Sequence, residues 1–331
     1  MQSIQQLAGR IRLGVPVGSD ALCMVPVMRE SPSRLKYQAL QTALAAKTLR
    51  ITEMSAGGSV PEVRVINVGD LPVLLLDGAA LVGAKQNRVI NLTVLVSAHA
   101  ETIVPVSCVE QGRWRSASPE FTEGKSLHFA AARSQKMRDV SESLELCGRP
   151  ASNQGKVWAD MADYSATFGA EAPSGAMQDV YRAVEDSAER LLDALRPAPG
   201  QVGAAFVARG RLLGLDAFDS AATFKAEFAK VARSYAVEAM RRREATDEVD
   251  DGKGRASEIV GALLWQLASG QWKSYAGVGL GTDIRMTTSR LAAGALVHEE
   301  ETVHLAAFPG NAEEGRADVS HAPAMPRRRG V

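Results

Sequence analysis

Apolar and polar positions alternate along the first third of the chain in the way that β-strands require. Residues 11–28 hold two apolar runs around a Gly-Ser-Asp turn, which predicts a β-hairpin, and the β-branched residues of 63–68 favour a strand. A continuous strand is predicted over 90–96, because side chains alternate between the two faces of a sheet. The apolar residues that would share one of its faces are Ile90, Leu92, Val94 and Val96.

A second alternating segment, 103–110, ends in residues that can carry chemistry. If it is a strand, the apolar row of Val104 and Val106 continues through Cys108 to Glu110, which would emerge at the rim of the sheet. Turns are expected at residues 69–70 and 77–78.

Helical spacing of apolar residues appears in several other segments. Residues 34–49 are rich in helix-forming residues, and 119–148 is assigned to helical pieces separated by glycine. Clearer helices are predicted over 153–164 and 176–195, and Ser220 is expected to cap another helix. The charge run 241–256 has the composition of a solvated loop, and a helix around 257–269 and four strands between 271 and 308 follow it.

These patterns predict an α+β fold with a largely antiparallel sheet system from 11–110 and 202–308. The helices of 119–195 would be inserted between the two β-rich halves. We expect residues 1–308 to form a single domain, followed by a disordered tail over 309–331, whose composition cannot bury a core.

Two segments share one local pattern. Residues 74–87 and 205–218 each have an apolar run, a two-residue turn ending in glycine, an apolar pair and a further glycine. Duplicated hairpins at 73–96 and 202–215 would explain the pattern. Two unrelated hairpins would explain it equally well, because they need the same turn residues.

Charge and composition exclude several classes of protein. The 331 residues include 38 Lys plus Arg and 38 Asp plus Glu, so no net charge favours nucleic acid or acidic membranes. No segment reaches the roughly 18 apolar residues of a membrane helix, and the first residues lack the apolar core of a signal peptide. We expect a cytoplasmic protein with no nucleic-acid partner, no membrane association and no cofactor.

Metal and disulfide sites are not predicted. The three cysteines lie far apart in the sequence, which is typical of reduced thiols. His298, Glu300 and His304 would share one face of a continuous strand and resemble metal ligands, but a charged hairpin turn fits their spacing better. The glycine-rich segment 277–282 precedes a strand rather than a helix, so we assign its glycines to backbone freedom and not to dinucleotide binding.

The stretch 74–115 carries the densest cluster of candidate binding groups. Arginine offers a bidentate fork and lysine a point charge to a phosphate or carboxylate. The residues assigned to a candidate binding site are Lys85, Gln86, Asn87, Arg88, Glu110 and Arg113. The alternative is a polar strand end in which these side chains cap backbone groups and Arg113 pairs with Glu110. Trp114 could stack on a base, although a single aromatic after a strand more often packs in a core.

Cys108 invites a second chemical hypothesis, a thiol nucleophile activated by neighbouring cations. No histidine lies in either polar segment to act as its base. A buried, unreactive cysteine in an apolar strand is therefore the interpretation we prefer.

The chain resembles a known family through two paired segments, GAKQNRVIN at 83–91 and PVSCVEQGRW at 105–114. It is similar to the ARG and Rhodanese-Phosphatase-superfamily-associated protein domain family over roughly residues 11–308. Further matching segments are QGKVW at 154–158, GRLLGLDAFDS at 210–220 and SYAVEAM at 234–240. The family name implies an association with ADP-ribosylglycohydrolases and rhodanese-like phosphatases, and it assigns no catalytic residue to this chain.

The leading functional hypothesis is a protein that binds, or processes, a phosphorylated or nucleotide-derived small molecule. A link to ADP-ribose is implied by the resemblance alone. A non-catalytic interaction or scaffold protein is one alternative, and a cysteine-dependent enzyme is another. The first hypothesis expects the six candidate residues to converge on one concave surface.

Overall fold

The computed structural model describes residues 11–31, 33–55, 59, 61–115, 117–171, 174–245 and 252–310. Most of the predicted disordered tail, 309–331, lies outside the described residues. Its first residue does not fit that prediction, because Pro309 ends a strand and pairs with Leu291.

The described chain contains eighteen strands and seven helices. The strands are β1 Ile11–Leu13, β2 Val17–Ser19, β3 Leu22–Arg29, β4 Gln38–Ala39, β5 Leu49–Glu53, β6 Glu62–Asn67, β7 Val73–Leu75, β8 Ala79–Gly83, β9 Arg88–Ile90, β10 Val94–Val96, β11 Ala100–Cys108, β12 Phe121–Leu127, β13 Gln201–Ala208, β14 Arg211–Phe218, β15 Lys273–Ala276, β16 Thr282–Thr287, β17 Leu291–His298 and β18 Glu301–Pro309. The helices are α1 Leu40–Ala45, α2 Ala130–Cys147, α3 Gln154–Thr167, α4 Met177–Ala183, α5 Glu185–Leu192, α6 Ala221–Ala245 and α7 Gly252–Ser269.

The strands form three sheets. The largest has nine strands in the order β1-β3-β13-β14-β18-β17-β16-β15, with β2 beside β3. The other two follow the orders β12-β8-β9-β11-β6-β5 and β10-β7-β4. The β4–β7 pair is parallel, whereas the other strand pairs of the described chain are antiparallel. The α+β fold with largely antiparallel sheets is therefore confirmed.

Residues 73–96 form one long, interrupted hairpin. Leu75 pairs with Val94, and Ala80 pairs with Val89 in the same antiparallel register on the other side of the interruption. The turn predicted over 77–78 is found, with the Ala79 N–H donating to the Leu76 carbonyl oxygen at 3.0 Å, but it only interrupts the strand, and the chain reverses over residues 84–87. The sequence pattern misplaced the reversal because a Gly in a turn-like dipeptide also occurs where a strand is merely interrupted.

The continuous strand predicted over 90–96 is wrong for a related reason. Polar side chains replace ladder hydrogen bonds in its middle, since the Thr93 hydroxyl accepts from the Asp77 backbone N–H at 3.2 Å. Asn91 accepts a hydrogen bond from the Ser107 hydroxyl at 2.6 Å. β9 and β10 consequently belong to different sheets.

Several helix predictions are confirmed, and four segments differ. Helix α3 lies where 153–164 was assigned, and Ser220 accepts a capping hydrogen bond from the Thr223 backbone N–H at 3.1 Å. The single helix predicted over 176–195 is two helices, α4 and α5, because the backbone leaves the helical conformation at Val184. The start of 119–148 is strand β12, because it pairs with β8. Only a short helix, α1, forms within 34–49. The charge run 241–256 is helical at both ends, and its middle lies outside the described residues.

One large apolar cluster contains residues from both β-rich halves. Leu74 and Val94 of the long hairpin belong to the same cluster as Phe206 and Phe218 of the β13–β14 hairpin and Phe224 of α6. The number of domains and the common origin of the two hairpins stay predictions. No helix of the described chain is long and apolar enough to cross a bilayer.

Candidate functional site

The tip of the long hairpin and the segment after β11 bring the six candidate residues together. β9 pairs with β11 through Arg88 and Cys108, so residues 85–88 lie beside residues 108–113. Gln86, Asn87, Arg88 and Glu110 are buried. The six candidate residues converge as predicted, but most of them form a buried network and not an open concave surface.

Glu110 and Arg113 form the centre of this network. The Arg113 guanidinium donates to the Glu110 carboxylate from Nε at 2.9 Å and from Nη2 at 2.6 Å, which is a bidentate pair. The same guanidinium donates from Nη1 to the Ala84 carbonyl oxygen at 2.7 Å and thereby holds the hairpin turn. The Asn87 backbone N–H donates to Glu110 Oε2 at 3.0 Å, and the Ser174 hydroxyl donates to Oε1 at 3.0 Å.

These contacts set the ionisation of Glu110. Burial by itself raises the pKa of this carboxyl, but the hydrogen bonds from Arg113 and from the Asn87 N–H outweigh burial. The net result is a pKa below the ordinary value of 4.5. Glu110 is therefore an ionised acceptor that fixes the turn.

Gln86 connects the hairpin tip to Cys108 and Arg88. Its Oε1 accepts from Arg88 Nη1 at 2.8 Å and from the Cys108 thiol at 2.9 Å, while its Nε2 donates to the Glu110 carbonyl oxygen at 2.9 Å. The Arg88 guanidinium also lies 3.8 Å from Glu53 Oε1. The polar interior of the tip is thus bonded mainly to itself, as the strand-end alternative requires.

Trp114 is the exposed component of the tip. Its side chain is 48% exposed, so the prediction that it packs in the core is wrong. The Lys85 ammonium lies 5.5 Å from the centre of its ring, and the Arg88 guanidinium lies 5.6 Å from it. Both distances are typical of cation–π contacts. An aromatic surface with adjacent positive charge therefore faces solvent above the buried network.

Cys108 is fully buried at the end of β11. Its backbone is also clamped, because the Gln154 side chain accepts from the Cys108 N–H at 2.8 Å and donates to the Cys108 carbonyl oxygen at 2.8 Å. The expectation of a buried cysteine is confirmed. A thiol with no exposed surface cannot reach a substrate in this conformation, which weakens the cysteine-enzyme alternative.

A second polar cluster, which no sequence pattern indicated, lies in the interior between the long hairpin, α2 and the large sheet. The Arg133 guanidinium donates to both carboxylate oxygens of Asp216, at 3.0 and 2.6 Å. Lys136 donates to Asp77 at 2.6 Å. His304 contacts Asp216 at 3.1 Å through Nε2 and the Thr93 hydroxyl at 2.7 Å through Nδ1.

Burial and pairing oppose each other in this cluster. Burial would raise the Asp216 pKa, but Arg133 and the His304 hydrogen bond lower it well below the ordinary value. Burial lowers the Lys136 pKa below 10.5, because Asp77 offsets only part of the desolvation. The adjoining cavity of about 10 Å³ has space for roughly one water molecule. It is too small for an organic ligand, so we assign the cluster to stability.

The segments considered for metals and dinucleotides have structural roles. The turn between β17 and β18 contains Glu299 and Glu300, both with positive φ, and His304 is buried away from it. No group of three or more potential metal ligands occurs in the described part of the chain. Gly279 lies where a side-chain Cβ would come within 2.2 Å of the Leu95 carbonyl oxygen, so its glycine permits close backbone contact.

Comparison with known proteins gives one match. The family model of the ARG and Rhodanese-Phosphatase-superfamily-associated Protein domain, ARPP-1, matches residues 10–308. No curated protein and no solved structure matches the chain significantly.

Proposed function

The chain belongs to the ARG and Rhodanese-Phosphatase-superfamily-associated Protein domain family, and from this premise we propose that the hairpin tip binds a phosphorylated, nucleotide-derived small molecule. The observation that carries the proposal is the half-exposed Trp114 ring beside the Lys85 ammonium. A family named for its association with proteins of the ARG and rhodanese-phosphatase groups makes ADP-ribose the first ligand to test. A cytoplasmic location is part of the same proposal.

Each part of the tip has a separate role. Trp114 supplies a face on which a nucleobase can stack, a contact worth about 1–3 kcal/mol in other proteins. The Lys85 ammonium, which lies 5.5 Å from the centre of the ring, supplies a positive charge for a phosphate. Arg88 is fully buried, so it contributes a cation–π contact that holds the ring rather than a contact with the ligand.

The buried network positions these two contacts. Arg113 donates to the carbonyl oxygens of Gly83 and Ala84 and so fixes the turn that carries Lys85. Trp114 follows Arg113 directly in the chain, so the same contacts also position Trp114. Gln86, Asn87, Glu110 and Arg113 are therefore assigned as positioning residues of the binding site, in agreement with their internal hydrogen bonds.

Titration calorimetry with ADP-ribose, AMP and ribose phosphate tests this function. ADP-ribose and AMP should bind, and Trp114→Ala should weaken both by about tenfold or more through loss of stacking. Ribose phosphate lacks a base, so its binding should depend on Lys85 and not on Trp114. Trp265→Ala is the matched control, because Trp265 is 56% exposed on α7 and belongs to a different surface.

A scaffold protein remains the competing function, and the internal bonding of the hairpin tip favours it. The two functions differ in one result. A nucleotide at 100 times its dissociation constant should add about 2.7 kcal/mol to the free energy of unfolding. The absence of any shift with these three compounds would support the scaffold.

A further inference from the structure

A polar cavity of about 250 Å³ is lined by residues of α2, α3, α6 and the large sheet. Helices α2, α3 and α6 contribute its polar wall, and strands β14 and β18 contribute its apolar wall. Its principal lining residues are Ala131, Asp160, Leu213, Arg241, Arg242 and Phe308. None of the six residues at the hairpin tip lines it.

Asp160 is the unusual group in this cavity. It projects from α3, and no described residue forms a hydrogen bond or ion pair with its carboxylate. The other nearby carboxylates do have partners. Glu238 accepts from the Tyr164 hydroxyl at 2.5 Å and from Arg242 Nε at 3.0 Å, and Asp163 lies 3.2 Å from Arg241 Nη2.

Arg242 complements Asp160 with the opposite charge. Its Nε is held by Glu238, and within the described chain neither of its Nη atoms has a hydrogen-bond partner. The guanidinium is thus held at Nε, and its two Nη atoms are available to a ligand. This arrangement suits bidentate binding of a carboxylate or phosphate. The opposite wall offers apolar surface from Leu213 and Phe308.

From these groups we infer that the cavity binds a small organic anion that carries hydroxyl groups. Arg242 receives the anionic group, Asp160 accepts a hydrogen bond from a hydroxyl, and the carbon skeleton packs against Leu213 and Phe308. The volume lies below the roughly 300 Å³ at which pockets for drug-sized ligands begin, so the ligand is smaller than a nucleotide. The site is independent of the proposed nucleotide site at Trp114.

Calorimetric titration of the full chain with glycerol phosphate and with glycerate tests the inference. Both compounds carry two hydroxyl groups on a three-carbon skeleton, and one offers a phosphate where the other offers a carboxylate. At least one should bind, and the tighter of the two identifies the anionic group. Glycerol, which has no charge, should bind at least about tenfold more weakly because it cannot pair with Arg242.

Two variants localise the binding. Ala131→Leu fills the cavity from α2 without removing a polar group and should abolish binding. Arg242→Gln removes the guanidinium fork and should weaken binding about tenfold or more. Arg182→Gln is the matched control, because it removes the same positive charge from a largely exposed side chain that does not line the cavity, and it should bind within about twofold of the parent chain.

The inference is overturned if neither anion binds at millimolar concentration. It is also overturned if binding survives both Ala131→Leu and Arg242→Gln. Circular dichroism of each variant establishes that it is folded, and a variant that fails to fold leaves the other to decide. Loss of ADP-ribose binding in Trp114→Ala with unchanged glycerol phosphate binding separates this cavity from the hairpin tip.

Discussion

Arg113 and Glu110 form a bidentate ion pair that closes the hairpin tip, with N–O distances of 2.9 and 2.6 Å. The pair is largely buried, and the same guanidinium holds two carbonyl oxygens of the turn. Removing either partner leaves the other charge without its counterion in a poorly hydrated position. The ion pair is therefore a structural requirement for any function of the tip.

We predict that Glu110→Ala destabilises the protein by about 3 kcal/mol, because Arg113 and the Asn87 N–H lose their shared acceptor. Urea unfolding of the single variants and of Glu110→Ala with Arg113→Ala measures the coupling. The double variant should be less destabilised than the sum of the singles. Additive effects would show that the pair contributes no coupling.

A pH effect at the same residue has a defined sign. The folded pKa of Glu110 lies below 4.5, so its stabilisation is present above that pH and is lost as the pH falls through the folded value. Glu110→Gln should remove the loss of stability at acid pH that is due to protonation of Glu110. The measurement is the free energy of unfolding between about pH 3 and pH 7. If its dependence on pH were the same in the variant and the parent chain, the prediction would be contradicted.

We predict that iodoacetamide modifies Cys147 and leaves Cys108 intact in the folded protein. Cys147 is exposed at the end of α2, and a hydrogen bond with Ser143 lowers the pKa of its thiol. Cys108 is fully buried. Mass spectrometry of the parent chain and of Cys147→Ser gives the measurement, and rapid labelling of Cys108 would instead favour the cysteine enzyme.

Asp216→Asn should destabilise the protein by about 4 kcal/mol, since it leaves the buried Arg133 without its bidentate acceptor. Asp179→Asn is the control, because Asp179 pairs with the largely exposed Arg182 and should lose less than about 1 kcal/mol. Urea unfolding of both variants is the measurement. Equal effects would mean that the interior pair is no stronger than a surface pair.

The sequence predicted the features whose hydrophobic or polar pattern lies entirely within one segment. Strand alternation predicted β11 and the burial of Cys108, and the clustering of polar residues located the hairpin tip. The buried ion cluster could not be predicted, because Asp77, Arg133 and Asp216 are far apart in the chain and each resembles a surface charge by itself. The exposure of Trp114 was missed for the same reason, since local sequence does not specify what covers a side chain.

The Asp160 carboxylate lacks a partner in the described chain, and the isolation that suits it to a ligand also costs stability. The pKa of Asp160 is raised from 3.8 to about 6: burial is the largest cause, Arg241 opposes it, and the nearby carboxylates of Asp163, Asp139 and Glu238 add to it. The folded state therefore holds this proton more tightly than the unfolded chain does. Stability from this group is greatest below the unfolded value and falls as the pH rises through about 6.

Asp160→Asn should consequently stabilise the protein near neutral pH, by about 1 kcal/mol after allowance for the partial exposure of the carboxylate. The gain should vanish below about pH 4, where the parent side chain is protonated in both states. Urea unfolding at several pH values measures it, with Asp163→Asn as the control that breaks an ion pair and should give no gain. A variant that is less stable than the parent at neutral pH would show that a partner satisfies the Asp160 carboxylate in solution, and would remove the reason for placing a ligand hydroxyl beside it.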